Sequence, residues 1–268
     1  MSTESEEPFP RHPLRPPPPP NYTGRIPNTL FVAALIAFLL GGIFALGAFT
    51  FLADGFTASA WWATAELGFF TAAWAAFHWG EFAVTAGWNF DKCSVDSFLL
   101  ENGSMYHIAH GTAVAEYLLT LYFFPSLKAP YRLISLFGIG MVLAGQTLRS
   151  AAMIHAATNF SHAVAFRKRA EHVLVTDGVY AWFRHPSYAG FFYWALGTQV
   201  VLLNPVSFLG YAIVMWRFFY RRTRGELFVL DYRVADVRAA EEAALIKFFG
   251  EQYVEYRKRV GTKIPFVP

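Results

Sequence analysis

The sequence predicts an all-α, polytopic integral membrane protein of about six transmembrane helices, with a long cytosolic loop and a C-terminal helical tail. Three observations carry this reading. Hydrophobic residues make up 55% of the 268 residues and charged ones 15%, with a mean hydropathy of +0.32. The 28 Phe, 13 Tyr and 8 Trp, set against 22 Lys plus Arg and 19 Asp plus Glu, would coat a soluble globule of this size poorly. Finally, Leu30 to Leu52 runs for 23 residues without a charge. At helical rise that is roughly 35 Å, enough for a hydrocarbon core of roughly 30 Å.

Taken in order, residues 1–29 hold nine of the fifteen prolines, with Pro16 to Pro20 unbroken, and read as an extended polyproline-like cytosolic tail. The first apolar run begins only after them. It is longer than the roughly 7–15 residues of a signal peptide's apolar region, so it reads as a span. Further apolar segments give spans near 30–53, 62–85, 104–124, 132–154, 187–203 and 205–221. Glu66, His78 and Glu81 on the second and Glu116 on the third must face protein or water, because exposing them to lipid is costly. His78 and Glu81 share a helical face and read as an intramembrane polar pair; Gln146 and Arg149 share a face of the fourth span. The last two spans are short, and Asn204-Pro205 makes the turn of a tight hairpin.

Six spans put both termini on one side. Arg11, Arg15 and Arg25 precede the first span, and basic residues recur at Lys92, at Arg167, Lys168 and Arg169, and through the tail. The opposite loops carry Asp54, Lys128 with Arg132, and the uncharged Asn204 turn. This bias places both termini in the cytosol.

Residues 155–186 are the longest interior polar interval. Thr176-Asp177-Gly178 is a turn signal, and Pro186 suits a first helical turn, whose free N–H groups favour an anion. From Glu241 to Lys258 the tail is amphipathic; Gly250 interrupts it, predicting two short helices or a kinked one. Cys93, the single cysteine, excludes an internal disulfide and a cysteine-built zinc site. A net charge of +3 gives no electrostatic reason to expect nucleic acid. The spacing of His107, His110 and Glu116 matches no recognised metal site, and no metal is assigned.

The run Leu174-Val175-Thr176-Asp177-Gly178-Val179-Tyr180-Ala181-Trp182-Phe183-Arg184-His185-Pro186-Ser187-Tyr188, continuing through Tyr193-Trp194 and Gly197-Thr198-Gln199 to Asn204-Pro205, resembles isoprenylcysteine carboxyl methyltransferases. The resemblance extends to His78-Trp79-Gly80-Glu81, to Asp96-Ser97-Phe98-Leu99-Leu100, to Gly145 through Met153, and to Asn159-Phe160-Ser161-His162. It also covers Leu245 through Tyr253 and Ile264-Pro265-Phe266. The chain looks like the shorter, fungal-type members. One departure stands out. Members run almost directly from the basic end of the last span into paired glutamates, whereas here residues 224–240 separate Trp216 to Thr223 from Glu241-Glu242.

The resemblance implies an endoplasmic-reticulum enzyme that methylates the carboxylate of a C-terminal prenylated cysteine with S-adenosylmethionine, on prenylated CaaX proteins such as small GTPases or on prenylated peptides. It makes residues 30–268 one membrane methyltransferase domain, with 155–186 a cofactor-binding loop and 241–268 a segment closing over the cofactor. It assigns Gln146, His162, His172, Leu174, Val175, Tyr180, Arg184, His185, Asn204 and Glu242 to the cofactor, with Glu241 in support; His162 with Asn159 also reads as organising the cofactor loop, and Asn204 alternatively as a helix-turn cap. The acceptor falls to an arginine. Motif context favours Arg222, while local spacing favours Arg238, one position off, since Val237 occupies the expected site. Trp216 and Tyr193 join Arg222 on the substrate side, and Phe191, Phe192, Trp194, Leu196 and Trp216 are candidates for a prenyl groove opening into membrane lipid, or equally for lipid-facing or core positions. The donor then enters from the cytosol and the prenyl tail from the bilayer, meeting near Arg222 and Glu242, which are assigned the catalytic roles. A nicotinamide-dependent membrane reductase and a non-catalytic scaffold or transporter are the competing classes; the tail blocks argue against the first.

Overall fold

The computed structural model describes residues 22–53, 60–128, 131–162, 168, 172–224 (backbone alone from 221) and 241–267. Within them stand eight α-helices: α1 Leu30–Leu52, α2 Ala65–Trp88, α3 Ser104–Phe123, α4 Arg132–Ala156, α5 Pro186–Leu202, α6 Pro205–Arg224, α7 Glu241–Phe249 and α8 Glu251–Arg259. There is no strand among the described residues. The first six helices fall on the six expected spans. Their ends shift where capping dictates: α2 opens at Ala65 because the Thr64 hydroxyl accepts the Leu67 N–H, 3.2 Å away. Gly250 divides α7 from α8, as the amphipathic pattern anticipates. The proline-rich tail up to residue 21, the basic positions Arg167 and Arg169, the inserted stretch 225–240 with Arg238, and the side chain of Arg222 lie outside the described residues.

The surface is that of a protein immersed in lipid. On α1 only Leu40 and Gly47 are buried, while Leu30, Phe38 and Leu46 are 92%, 77% and 67% exposed. Leu133, Phe137 and Leu143 extend this apolar exposure along α4, and Leu209 and Ile213 along α6. Exposed apolar area on this scale marks a membrane-facing surface. Two helices, α1 and α4 with its 3-10 extension to Asn159, are long and apolar enough by composition to cross a bilayer unaided. By contrast α2 turns His78, Glu81 and Thr85 into the interior.

The tightest seam joins α4 to α5. A Cβ on Gly145 would lie 2.6 Å from the Gly190 carbonyl oxygen and the Trp194 nitrogen, and one on Gly190 would lie 2.7 Å from the Arg149 nitrogen. Seven residues from each, Gly138 and Gly197 repeat the same close approach. Small residues let backbones meet where lipid offers no hydrophobic drive between helices. Against this seam packs the core, with Phe77, Val142, Phe192, Trp194 and Phe219 at its centre. Phe192, Trp194 and Leu196 are at most 7% exposed. They fill the core, and the expectation that they line a groove open to lipid is corrected.

The α5–α6 turn is anchored at the opposite end of the bundle from α7 and α8. Lys128 Nζ donates to the Leu202 and Leu203 carbonyls at 2.7 and 2.9 Å and to Asn204 Oδ1 at 3.1 Å. The Glu116 carboxylate accepts the Val206 and Ser207 N–H groups at 2.9 and 2.6 Å. Carbonyls left over at one helix end meet a cation, and amides left over at the next helix start meet an anion.

Candidate donor pocket and acceptor rim

Pro186 starts α5 because its missing N–H falls where no intrahelical partner exists. The His185 carbonyl accepts the Tyr188 and Ala189 N–H groups at 3.0 and 3.1 Å, closing the first turn and aiming it toward the interval before it. In that interval a 3-10 turn, Gly178–Ala181, sets Tyr180, whose carbonyl accepts the Tyr256 hydroxyl of α8 at 2.6 Å. Asn159 Oδ1 accepts the Val173 N–H at 2.8 Å, tying the end of α4 to the strand-like stretch 172–175.

Between these elements and α7 lies an open-mouthed pocket with a cavity volume of about 190 Å³. Asn159, Phe160, His172, Leu174, Val175, Tyr180, His185, Tyr188, Glu241 and Tyr253 line it, with Phe248 and Phe249 closing one side. It mixes apolar and aromatic faces with a few convergent polar groups, as small-molecule sites do. Five of the residues expected on the cofactor, His172, Leu174, Val175, Tyr180 and His185, come together here.

Glu242 fixes the geometry from behind. Its Oε1 accepts from His185 Nε2 at 2.8 Å and from the Tyr253 hydroxyl at 2.9 Å, with Arg184 Nε at 3.0 Å. Arg257 approaches Oε2 at 3.5 Å. Burial alone would raise the Glu242 carboxyl, but the hydrogen bond and charge of His185, then Arg184 and Tyr253, outweigh it and hold the group below the usual glutamate value. The Tyr253 hydroxyl moves the other way, raised by burial and by the Glu242 charge. Arg184 therefore acts behind the pocket wall. Its Nη1 also donates to the Arg257 and Val260 carbonyls at 3.5 and 3.2 Å, binding the end of α8 to the start of α5.

A second polar network supports the wall from within the bundle. Glu81 pairs through both carboxylate oxygens with Arg149, and its Oε2 also meets His162 Nε2 at 2.9 Å. Arg149 Nη1 donates to the Ser187 hydroxyl at 3.0 Å and approaches its carbonyl at 3.3 Å. One buried carboxylate thus joins α2, α4, the loop after α4 and the first turn of α5. The expected His78–Glu81 pair does not form. His78 Nδ1 meets the Phe98 carbonyl at 2.7 Å and its Nε2 meets the Tyr106 hydroxyl at 2.8 Å.

Three expected cofactor residues stand away from the pocket. Asn204 is at the far end of α5, about 25 Å along the helix axis, donating to the Ala113 carbonyl at 2.8 Å; its role is to pin the hairpin turn. Gln146 Nε2 donates to Ser150 Oγ at 3.2 Å on its own helix. His162 is held by Glu81 beside the lining residues Phe160 and Ser161. On the substrate side, the Tyr193 hydroxyl donates to the Lys263 carbonyl at 2.7 Å, fastening the C-terminal segment to α5. The Trp216 ring lies against Tyr220, centroids 5.0 Å apart. Sequence reasoning missed Tyr188 and underrated Glu241, which share a hydrogen bond at the pocket edge. The signal was present: Tyr188 follows His185 by three residues and so shares its helical face. Among the described residues no cluster of His, Cys, Asp and Glu suits a metal.

Comparison with known proteins places this geometry in context. The sequence profile of the isoprenylcysteine carboxyl methyltransferase (ICMT) family matches residues 138–231. Protein-S-isoprenylcysteine O-methyltransferase of Homo sapiens is 43% identical over 234 residues, covering 87% of this chain and 74% of that one. The Schizosaccharomyces pombe protein of the same name is 38% identical over 259 residues, covering 91% of this chain and 100% of its own. A solved structure described as the eukaryotic intramembrane Ras methyltransferase ICMT superposes with a TM-score of 0.76 at 37% identity, over 87% of this chain and 76% of that one.

Proposed function

This chain belongs to the isoprenylcysteine carboxyl methyltransferase family, and from that premise we propose that the pocket at the start of α5 holds S-adenosylmethionine while Arg222 holds the carboxylate of the prenylated cysteine. The enzyme transfers the methyl group of S-adenosylmethionine to the α-carboxylate of a C-terminal S-prenylated cysteine, giving the methyl ester and S-adenosylhomocysteine. The observation that carries the site reading is the convergence of His172, Leu174, Val175, Tyr180 and His185 on one cavity closed by α7.

S-adenosylmethionine supplies an electrophilic methyl carbon on a sulfonium. The acceptor carboxylate is already ionised at neutral pH, so no proton has to move and no general base is required. The chain's work is therefore positioning and electrostatics. His185 is fixed by Glu242, and Tyr180, Tyr188 and Phe248 supply faces that exclude water. A guanidinium at the membrane–cytosol boundary offers paired donors that match a carboxylate. Arg222 lies in the last turn of α6, three residues beyond Phe219, whose ring stacks on the pocket residue Tyr188. Trp216 and Tyr193 are assigned to the prenylcysteine by the family resemblance.

Prenylated CaaX proteins, small GTPases among them, are the substrates in this reading; the solved relative is described as a Ras methyltransferase. The bias of basic residues supports both termini being cytosolic, and the family resemblance implies the endoplasmic-reticulum membrane. The interval between α4 and α5, within the expected 155–186, then supplies the cytosolic cofactor loop and 241–268 the closing segment, while 224–240 is an insertion relative to the family.

Two substitutions test the acceptor assignment. Arg222→Ala is expected to lower turnover on a farnesylated cysteine by about a hundredfold, the scale of a lost anchoring group, while Arg238→Ala stays within a few-fold. Initial-rate kinetics giving the reverse ranking would move the carboxylate to Arg238.

A further inference from the structure

Tyr188 lies where the donor pocket meets the helix that carries Arg222. Its ring stacks on His185 with centroids 5.3 Å apart and planes 16° from parallel. It also stacks on Phe219 of α6, at 5.0 Å and 30°. Its hydroxyl donates to Glu241 Oε2 on α7, and the residue lines the pocket itself. Phe219 is 1% exposed, so the ring contact sits in packed surroundings and has little freedom to slide. The two consecutive glutamates thus hold two aromatic residues of one helical face: Glu242 takes His185 and Glu241 takes Tyr188.

We propose that Tyr188 is a positioning residue of methyl transfer with two separable roles. Its hydroxyl latches α7 across the donor. Its ring, wedged between His185 and Phe219, sets the spacing between the donor pocket and the cytosolic end of α6, where the acceptor carboxylate is held. The inference rests on the donor and acceptor sites assigned above. The hydroxyl contact reaches a carboxylate of α7 directly, so its loss should loosen the donor. The ring contact governs the relative placement of two reacting groups, and in-line transfer loses rate steeply when that placement slips by an ångström.

The two roles separate kinetically. In purified full-length protein in detergent, with S-adenosylmethionine and a farnesylated cysteine as substrates, Tyr188→Phe and Glu241→Ala should each raise the donor KM several-fold. Their kcat should stay within about twofold of wild type, because the ring or its stacking is kept. The double variant Tyr188→Phe/Glu241→Ala should be no worse than the poorer single variant, because both changes remove one interaction. Tyr188→Leu and Phe219→Leu should instead lower kcat by about tenfold or more. A general loss of stability would not sort the variants this way. Additive losses in the double variant, or wild-type kcat in Phe219→Leu, would overturn the proposal; the second arm still decides if Tyr188→Leu fails to fold. Wild-type protein that neither binds S-adenosylhomocysteine nor transfers methyl would instead sink the site reading on which this one stands.

Discussion

Glu242 illustrates how far a single residue was legible and where legibility stopped. Paired glutamates ahead of an amphipathic run point equally to helix-start charge compensation and to a pocket, and only the fold shows the carboxylate turned onto His185, Arg184 and Tyr253. Because its carboxyl is held below the ordinary glutamate value, the contacts it makes strengthen the folded state at every pH above that value. They are lost only as acid protonates the folded form. Glu242→Gln should therefore remove an acid-side dependence of donor affinity and thermal stability while weakening donor binding at pH 7. Binding isotherms and melting curves between neutral and acidic pH check this, and parallel pH profiles for wild type and variant would contradict it. Asn204 shows the opposite case. Within the motif it reads as either a helix-turn cap or a residue of the site, and the helix of seventeen residues that separates it from His185 leaves the cap. Sequence proximity to a motif does not reveal which end of a helix faces the chemistry.

At the scale of the element, the six spans were readable because uncharged length and Lys/Arg asymmetry are imposed by the bilayer, independent of neighbours. The division of the tail at Gly250 was equally local. What pattern alone does not give is which faces meet. Gly138 and Gly145 on α4, and Gly190 and Gly197 on α5, carry a seven-residue spacing that looks unremarkable in an apolar span until the two backbones are seen to touch. The same seam places Arg149 beside Ser187, so it also positions the first turn of α5. Gly145→Ala would push a methyl to 2.6 Å from backbone atoms that cannot swing aside. It is expected to cost roughly 1–3 kcal/mol, the range for overpacking, seen as a lower melting temperature in detergent. An unchanged melting temperature would mean the seam has slack that these distances do not show.

For the molecule as a whole, two surfaces of opposite character share one bundle. The exposed apolar bands of α1, α4 and α6 hold the bundle in the bilayer. Meanwhile α7, α8 and the loop before α5 fold over a pocket whose walls bear polar and aromatic groups. This arrangement suits a soluble methyl donor and a tethered acceptor that cannot leave the membrane. The most direct measurement is transfer of labelled methyl from S-adenosylmethionine to S-farnesylated cysteine by the purified protein in lipid, run beside Glu242→Ala and an unprenylated cysteine acceptor. Label in the base-labile ester with the farnesylated acceptor, a strong fall in Glu242→Ala, and none with the unprenylated acceptor are the predicted results. Equal labelling by wild type and Glu242→Ala, or efficient methylation of the unprenylated acceptor, would contradict the account.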